Sequence, residues 1–414
     1  MTAKMSNREY TTRHCIPDSE APFSKEEYAE RLERIRSVME AKSIDLLFVS
    51  APEGLYYVSG FLSDWYQAQS PMIWPPTSGI AIHRESGRTM HFETEAEEML
   101  VQFTSVSQDL RILRDSESSL IEFIAAELAS AGWLSGTVGL EMFSYRPNRG
   151  HSELFEAAVT TAGAAVVDAT DILRNVRRIK SPRELEYMRE AGRFADIGMA
   201  AARDALKVGA TELEIHAEMT YAMIMAGGEP AAIQLPVTSG KRTAAPHAAA
   251  SHKKIQPGEN VLVDICGVSR CYHTNLARTF SMGEPHPAVA AQIEKSSGLF
   301  TDLPQILKPG MRVAELTGFA RDYYKEHGLW QDRGWVGGYE LGIAIPPDWD
   351  GPFTYDADID PGDATLDPGM VINLESDVYL PKGAGSSLVI NTMEFSDTSV
   401  ARLTQFPDGL QVIE

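Results

Sequence analysis

A helix-start signal at Ser181 is the feature that most constrains how this chain can fold. A capping serine, a first-turn proline and an acidic residue follow in order at Ser181, Pro182 and Glu184. They predict a long helix that runs to about Lys207 and is followed by Gly209. Further capped helices then alternate with strand-like segments of the antiparallel type, which predicts an α+β domain around a curved sheet.

The chain is long enough for two domains, because 414 residues exceed the usual size of a single hydrophobic core. We predict an N-terminal arm at residues 1–22, an α/β domain at 23–172 and the α+β domain at 173–414. In the α/β domain, helices are predicted at about 25–42 and 118–131, and strands at 44–49, 80–83 and 89–92. In the α+β domain, strands are predicted at 260–266, 277–282, 371–374 and 388–392.

Charge and composition exclude several classes of protein. The formal net charge of -21 argues against a nucleic-acid partner, because a polyanion is bound by clustered Lys and Arg. The sequence contains no apolar run long enough to cross a bilayer, and its N-terminal residues lack the apolar core of a secretion signal. We therefore expect a cytoplasmic protein with no membrane partner. Its three cysteines, Cys15, Cys266 and Cys271, form no disulfide framework.

Several motifs carry a resemblance to a known family. In chain order they are RRIKSPRELEYMREA, APHAAASHKKIQPGE, DICG with YHTNLARTF, KPGM, GYELG with PPDW, and PGDATLDPGM. Together they resemble the creatinase and ectoine hydrolase branch of the pita-bread superfamily, over about residues 23 to 410. The resemblance implies an α/β N-terminal domain followed by a pita-bread catalytic domain. It also implies a homodimer that hydrolyses a C–N bond of a small zwitterionic or cationic molecule, with no metal or other cofactor.

The metal-ligand positions of the pita-bread metallopeptidases are mostly replaced in this chain. Those enzymes carry two aspartates, a histidine between two glycines, and two later glutamates. Asp264 stands at the position of the first aspartate. Asn275 stands at the position of the second aspartate, and Tyr339 stands at the position of the histidine. Glu375 resembles one glutamate, and the other position falls near Val389. Two carboxylates will not hold a pair of divalent cations, so no metal site is predicted.

Three residues are predicted to be catalytic. Hydrolysis of an amidine or guanidine needs a base, a donor that releases nitrogen, and carboxylates that hold the cationic carbon centre. Asp264 ends an apolar strand and is predicted to attack this carbon or to orient water, and Glu375 to bind the positive nitrogen. His247 resembles the catalytic histidine of creatinase and would move the protons. The alternative is a structural role for each, with the carboxylates bonded to the strand of Arg278.

Further residues are predicted to bind the substrate. If side chains alternate along the strand, His273 and Asn275 face the same side and share the cleft with Asp264. Tyr66 belongs to an aromatic, proline-rich insertion at 63–77. This insertion either closes the pocket of the other subunit in a dimer or packs within its own subunit. The predicted substrate-binding residues are His273, Asn275, Arg278, Tyr339, Trp349 and Tyr66.

Replacements at two substrate-binding positions of creatinase leave the identity of the substrate undecided. Ala277 stands where creatinase has a substrate-binding glutamate, and Asp350 stands near its arginine for the substrate carboxylate. We expect a cyclic amidine or a guanidino compound as substrate. The alternatives are a metal-dependent Xaa-Pro peptidase, which would bind two divalent ions, and a non-catalytic pseudo-peptidase that binds a protein partner. A metal-dependent lyase is similar only at the level of the fold.

Overall fold

Two compact units make up the chain, in a computed structural model that describes residues 5–62, 78–114, 119–144 and 146–414. Contacts divide them into Met1–Arg177 and Arg178–Glu414. The division falls in the helix Thr170–Arg178, which also contains the predicted boundary at residue 173. The predicted arm at 1–22 includes a helix, Asn7–His14, which buries none of its residues.

The N-terminal unit is an α/β domain around a six-stranded mixed sheet, as predicted. Its helices are α1 (Asn7–His14), α2 (Lys25–Ala41), α3 (Pro52–Ser59), α4 (Glu98–Thr104), α5 (Leu120–Ser130), α6 (Arg149–Thr161) and α7 (Thr170–Arg178). Its strands are β1 (Leu46–Val49), β2 (Gly79–His83), β3 (Thr89–Thr94), β4 (Leu110–Leu113), β5 (Thr137–Leu140) and β6 (Ala165–Asp168). The strand order is β4-β3-β2-β1-β5-β6, and only the pairs β1–β2 and β2–β3 are antiparallel among these described strands.

Local sequence explains the first core helix of this unit. Ser24 Oγ accepts a hydrogen bond from the Glu27 backbone N–H, which caps α2. Its buried residues recur every three or four positions, so one face of the helix packs inward. These residues are Tyr28, Arg31, Ile35 and Met39.

The C-terminal unit is an α+β domain, as predicted. Its helices are α8 (Pro182–Ala205), α9 (Glu212–Met225), α10 (Pro287–Asp302) and α11 (Val313–Glu326). Short 3-10 helices span Gly240–Ala244, Leu303–Gln305 and Pro381–Gly383. Its strands are β7 (Val237–Ser239), β8 (Asn260–Ser269), β9 (Tyr272–Met282), β10 (Met311–Arg312), β11 (Arg333–Tyr339), β12 (Thr354–Asp356), β13 (Thr365–Leu366), β14 (Val371–Tyr379), β15 (Ser386–Phe395), β16 (Val400–Arg402) and β17 (Gln411–Ile413).

A nine-stranded sheet organises this unit. Its main path is β12-β11-β14-β15-β9-β8-β7, with β16 paired to β15 and β17 paired to β9. The strands β8, β9, β14 and β15 are each longer than predicted, because their extensions contain polar residues that interrupt the apolar pattern. Most of those polar residues are nevertheless buried, and some of them, together with Asp264 and Asn373, form the site described below.

Helix α8 holds the strand β8 in place. Its capping box is complete: Ser181 Oγ accepts from the Glu184 N–H, and the Glu184 carboxylate accepts from the Ser181 N–H at 2.8 Å. The strand approaches α8 so closely that a Cβ at Gly267 would overlap the backbone of Ala191. No helix among the described residues is both long and apolar enough to cross a membrane.

Candidate active site

Asp264 and Glu375 lie on one face of the nine-stranded sheet. The strand register places Gly337, Glu375, Ile390, Ala277 and Asp264 in one row across neighbouring strands. Directly paired residues point to the same side of a sheet. The two carboxyl groups therefore project from the same face, on either side of the apolar Ala277 and Ile390.

A chain of hydrogen bonds joins these carboxyl groups through two buried asparagines. Asn275 Nδ2 donates to Asp264 Oδ1 at 2.8 Å. Asn373 Nδ2 donates to Asn275 Oδ1 and to Glu375 Oε1, at 3.1 Å in each case. Both asparagines have an exposure of 0%. The two carboxyl groups therefore belong to one connected polar network.

The hydrogen-bond partners fix the orientation of both amides. Asn275 Nδ2 lies 3.1 Å from the carbonyl oxygen of Ile265, which can only accept. Asn373 Oδ1 lies 2.7 Å from the backbone N–H of Tyr339, which can only donate. A flip of either amide would bring two acceptors or two donors together. Amide N–H groups therefore point at both carboxyl groups.

Tyr339 and Trp349 complete the network. The Tyr339 hydroxyl accepts from Trp349 Nε1 at 3.1 Å and lies 3.4 Å from Asn275 Oδ1. The Tyr339 hydroxyl also favours the ionised form of the Glu375 and Asp350 carboxyls, so it opposes the rise in the pKa of both.

Burial makes the acidic groups of the network weak acids. It raises the pKa of Asp264 to about 7. Burial, reinforced by the Asp264 carboxyl, raises the pKa of Glu375 well above its usual value. Partial desolvation, reinforced by Asp348, raises the pKa of Asp350, but the residue as a whole is exposed, so solvent screens part of this effect. A positive group bound here would stabilise the ionised form of all three.

The residues of the network do not fit a pair of divalent cations. Asn275 directs N–H groups at Asp264, and a phenol stands at position 339 where the resemblance places a histidine ligand. A cation needs lone pairs from carboxylate, imidazole or thiolate at these places. Among the described residues, no group of three or more His, Cys, Asp or Glu side chains is arranged to hold a metal ion.

The strand register revises which residue stands at the second glutamate position, which the sequence placed near Val389. Val389 pairs with Ser376, and it packs in the hydrophobic core on the other side of the sheet. Ile390, rather than Val389, stands in the row that contains Glu375. Because side chains alternate between the faces, a shift of one residue exchanges site and core. The site-facing residue of β15 in this row is therefore isoleucine.

His247 lies in an exposed turn after the 3-10 helix Gly240–Ala244. That helix packs on β8 and β15. Thr243 Oγ1 anchors it by accepting from the Ser386 backbone N–H at 2.8 Å. The side chain of His247 forms no hydrogen bond or ion pair with the described residues. The loop is thus fixed beside the strands of the site, but the structure does not bring His247 into contact with Asp264 or Glu375.

His273 shares a face with Asp264, as predicted, but it does not join the network. The pairs His273–Val268 and Asp264–Ala277 lie in one register, and the two strand positions on β8 are about 13 Å apart. His273 Nε2 accepts from the Ala232 N–H at 3.0 Å, and its Nδ1 lies 2.9 Å from a carbonyl oxygen. Burial lowers the pKa of His273 to about 4. Since both ring nitrogens are used, the expected role in substrate binding is replaced by a structural one.

Arg278 also lies outside the site, which corrects its predicted role. Its side chain is 0% exposed and hydrogen-bonds the carbonyl oxygens of Pro407, Ile390 and Phe406, as well as other acceptors. It pairs with Asp408 at 2.8 Å, and not with Glu375 or Asp264. Every face of the guanidinium is occupied, so Arg278 ties the C-terminal segment to the sheet.

Two residues of the network were missed by sequence reasoning, and one predicted residue lies outside the description. Asn373 links both halves of the network, and its signal was a polar residue two positions before Glu375 in an apolar strand. Asp350 was noted only as a replacement. Tyr66 and the insertion at 63–77 fall outside the described residues.

Comparison with known proteins shows relatives of two kinds. The chain is 27% identical to the Xaa-Pro dipeptidase of Pyrococcus furiosus, over 91% of this chain and 98% of that protein. It is 28% identical to the ectoine hydrolase of Halomonas elongata, over 85% of this chain and 89% of that protein. It is 24% identical to the creatinase of a Bacillus species, over 94% of this chain and 92% of that protein.

The fold and the family follow from two further matches. The dipeptidase PepE of Mycobacterium ulcerans superposes with a TM-score of 0.79 at 23% identity, covering 94% of this chain and 99% of that one, which supports the pita-bread fold. Residues 31–179 match the creatinase/prolidase N-terminal domain. Residues 186–400, about half of the chain, match the metallopeptidase family M24. The chain is therefore a hydrolase that belongs to the metallopeptidase family M24.

Proposed function

We propose that the protein hydrolyses a C–N bond of a small cationic amidine or guanidino compound without a metal ion. Its functional parallels would then be the ectoine hydrolase and creatinase relatives. One observation carries the proposal: the amides of Asn275 and Asn373 connect the carboxyl groups of Asp264 and Glu375. N–H donors thus occupy the place where a metal-dependent relative needs ligands.

The charges of the site favour a cationic substrate. None of the described Lys, Arg or His side chains forms an ion pair with Asp264, Asp350 or Glu375. An amidinium or guanidinium is planar and donates N–H groups in a fan, which matches paired carboxylates. Glu375 is only partly buried, so it is the acceptor that such a group reaches. Tyr339 and Trp349 are aromatic walls against which the planar cation packs.

The proposed reaction uses Asp264 as base. The Asp264 carboxylate takes a proton from water while the water oxygen bonds to the amidinium carbon. In the resulting tetrahedral adduct the C–N bond breaks, and the leaving nitrogen keeps the electron pair and takes a proton from the His247 imidazolium. The adduct hydroxyl releases its proton to solvent as the C=O bond forms. The proton on Asp264 returns to His247 through solvent, so one water is consumed for each bond cut. His247 reaches the adduct from its loop only when substrate lies between them.

A metal-dependent Xaa-Pro dipeptidase is the second candidate. It is favoured by the 27% identity to the Pyrococcus furiosus enzyme over nearly all of both chains. It requires ligands that Asn275 and Tyr339 do not supply. The two candidates differ in a simple respect, since the dipeptidase needs added divalent metal and the amidine hydrolase does not.

Proton NMR of chelator-treated protein separates these candidates. The protein is incubated with a mixture of ectoine, creatine and a proline dipeptide, and the spectrum is followed with time. We expect the signals of an amidine or guanidino solute to change while the dipeptide persists. Loss of the dipeptide alone, or no change until a divalent metal is added, would contradict the proposal. The matched control is the Asp264→Asn protein, which should turn over none of the three.

A further inference from the structure

A fourth acidic residue, Asp377, continues the site along the strand β14. It lies two residues beyond Glu375 and therefore on the same face of the sheet. Asn373, Glu375 and Asp377 thus form a polar row on one strand. The Cα atoms of Glu375 and Asp377 are about 7 Å apart, the rise of two residues along a strand. Asp377 also reinforces the rise in the pKa of Glu375, which places the two side chains within electrostatic reach.

Asp377 is buried and incompletely satisfied. It is 7% exposed, and its Oδ1 has no hydrogen-bond partner among the described residues. A buried acceptor without a partner is costly unless a ligand supplies a donor. The Asp377 carboxyl group lies against Gly334 of the neighbouring strand β11. Only glycine leaves space for it there, because a Cβ at position 334 would collide with Asp377 Oδ2. Burial raises the pKa of Asp377 to about 7, against the backbone N–H groups of Val378 and Trp335 and the Ser386 side chain, which favour the ionised form. A nearby positive charge would add to these groups and restore ionisation.

The number of acidic groups exceeds what one positive charge can balance. Asp264, Glu375 and Asp377 lie on this face of the sheet, Asp350 lies in the loop between β11 and β12, and none of the four pairs with a described cationic side chain. A monocation held between Asp264 and Glu375 leaves the Asp377 acceptor unmet. A second positively charged nitrogen, about 7 Å from the first, would donate to Asp377.

We propose that Asp377 forms a second cation subsite, and that the substrate carries a primary ammonium group joined by a short alkyl chain to the amidine or guanidine that is cut. This inference rests on the proposed hydrolase function and names its substrate class. The amidine or guanidine lies between Asp264 and Glu375. The ammonium group donates to Asp377 Oδ1.

Agmatine and 1-butylguanidine test this subsite, because they share a guanidinium and a four-carbon chain but only agmatine carries the amine. Binding of each is measured by calorimetry. We expect wild-type protein to bind agmatine at least tenfold more tightly. In Asp377→Asn the ratio of the two affinities should fall to about one. Asp397→Asn, an exposed carboxylate outside the cluster, should keep the wild-type ratio.

Two results would overturn the subsite. One is equal affinity for the two compounds in wild-type protein, which decides the matter even if Asp377→Asn does not fold. The other is a wild-type ratio that survives in folded Asp377→Asn. Failure of the hydrolase function looks different: agmatine would still bind more tightly, but neither it nor any other amidine or guanidine would be cut.

Discussion

At the scale of single residues, Asn373 connects the two halves of the site. It accepts from the Tyr339 backbone N–H and donates toward Asn275 and Glu375. Asn373→Ala leaves the Tyr339 N–H buried without a partner, so we expect the free energy of unfolding to fall by about 1–3 kcal/mol. Urea denaturation measures this change. Turnover should fall as well, because Glu375 loses the amide that orients it.

The matched control for this residue is Asn7→Ala on the exposed surface of α1. Its unfolding midpoint should stay close to that of the wild-type protein. An Asn373→Ala protein with wild-type stability and turnover would show that the amide chain does not organise the site.

His247 provides the second residue-scale prediction. Because it is exposed and unbonded to the described residues, His247→Ala should fold normally. As the proposed proton carrier, its loss should lower kcat by roughly 10²–10⁴. His252→Ala is the control, since His252 is a neighbouring exposed histidine. Full activity in His247→Ala, measured by NMR on the active substrate, would remove His247 from the mechanism.

At the scale of structural elements, Arg278 fastens the C-terminal segment to the strand β9. Its guanidinium serves the carbonyls of Phe406 and Pro407 and the carboxylate of Asp408. Burial lowers its pKa to about 9, and the Asp408 carboxylate opposes this fall. Arg278→Ala would leave the carbonyl oxygens of Phe406, Pro407 and Ile390 without their donor and would open a cavity, whereas Asp408 keeps its ion pair with Arg402 at 2.7 Å. We expect a loss of about 2–5 kcal/mol in the free energy of unfolding.

A surface ion pair supplies the control for this prediction. Arg312 pairs with Asp363 at 3.3 Å on the exposed surface, so Arg312→Ala should cost less than about 1 kcal/mol. If Arg278 instead bound substrate, its replacement would raise KM while leaving stability nearly unchanged. Denaturation and steady-state kinetics on the same preparations distinguish the two roles.

The elements show what sequence could and could not predict. Helix caps such as those at Ser24 and Ser181 depend on neighbouring residues, so α2 and α8 were predicted close to their observed bounds. The strand β14 was predicted to stop before Glu375, because a buried carboxyl group breaks the apolar pattern that marks a strand. Likewise, the pairing that joins Asn275 to Asn373 spans many residues and leaves no local signal. Contacts between residues distant in sequence also give Arg278 and His273 their structural roles.

At the scale of the whole molecule, buried carboxyls should set how stability depends on pH. The pKa values of Asp264 and Asp377 are each raised to about 7 in the folded state. Between pH about 4 and 7 the folded protein therefore holds more protons than the unfolded chain. The free energy of unfolding should fall as pH rises through this window, and the stabilisation is lost above pH 7.

Urea denaturation at pH 5 and pH 8 checks this sign. Asp264→Asn cannot ionise at this position, so its stability should drop less than that of the wild-type protein over this interval. Asp397→Asn should behave like the wild type, since its side chain is exposed. Equal or greater drops in Asp264→Asn would show that Asp264 is ionised in the folded protein at pH 5.

The central claim is that the Asp264–Asn275–Asn373–Glu375 network hydrolyses a C–N bond without metal. The most direct measurement is the turnover rate of the active amidine or guanidine in chelator, compared with the rate in added Mn²⁺ or Co²⁺. We expect the same rate in all of these conditions. A rate that vanishes in chelator and returns with metal would contradict it, and would make this member of the family a metal-dependent hydrolase.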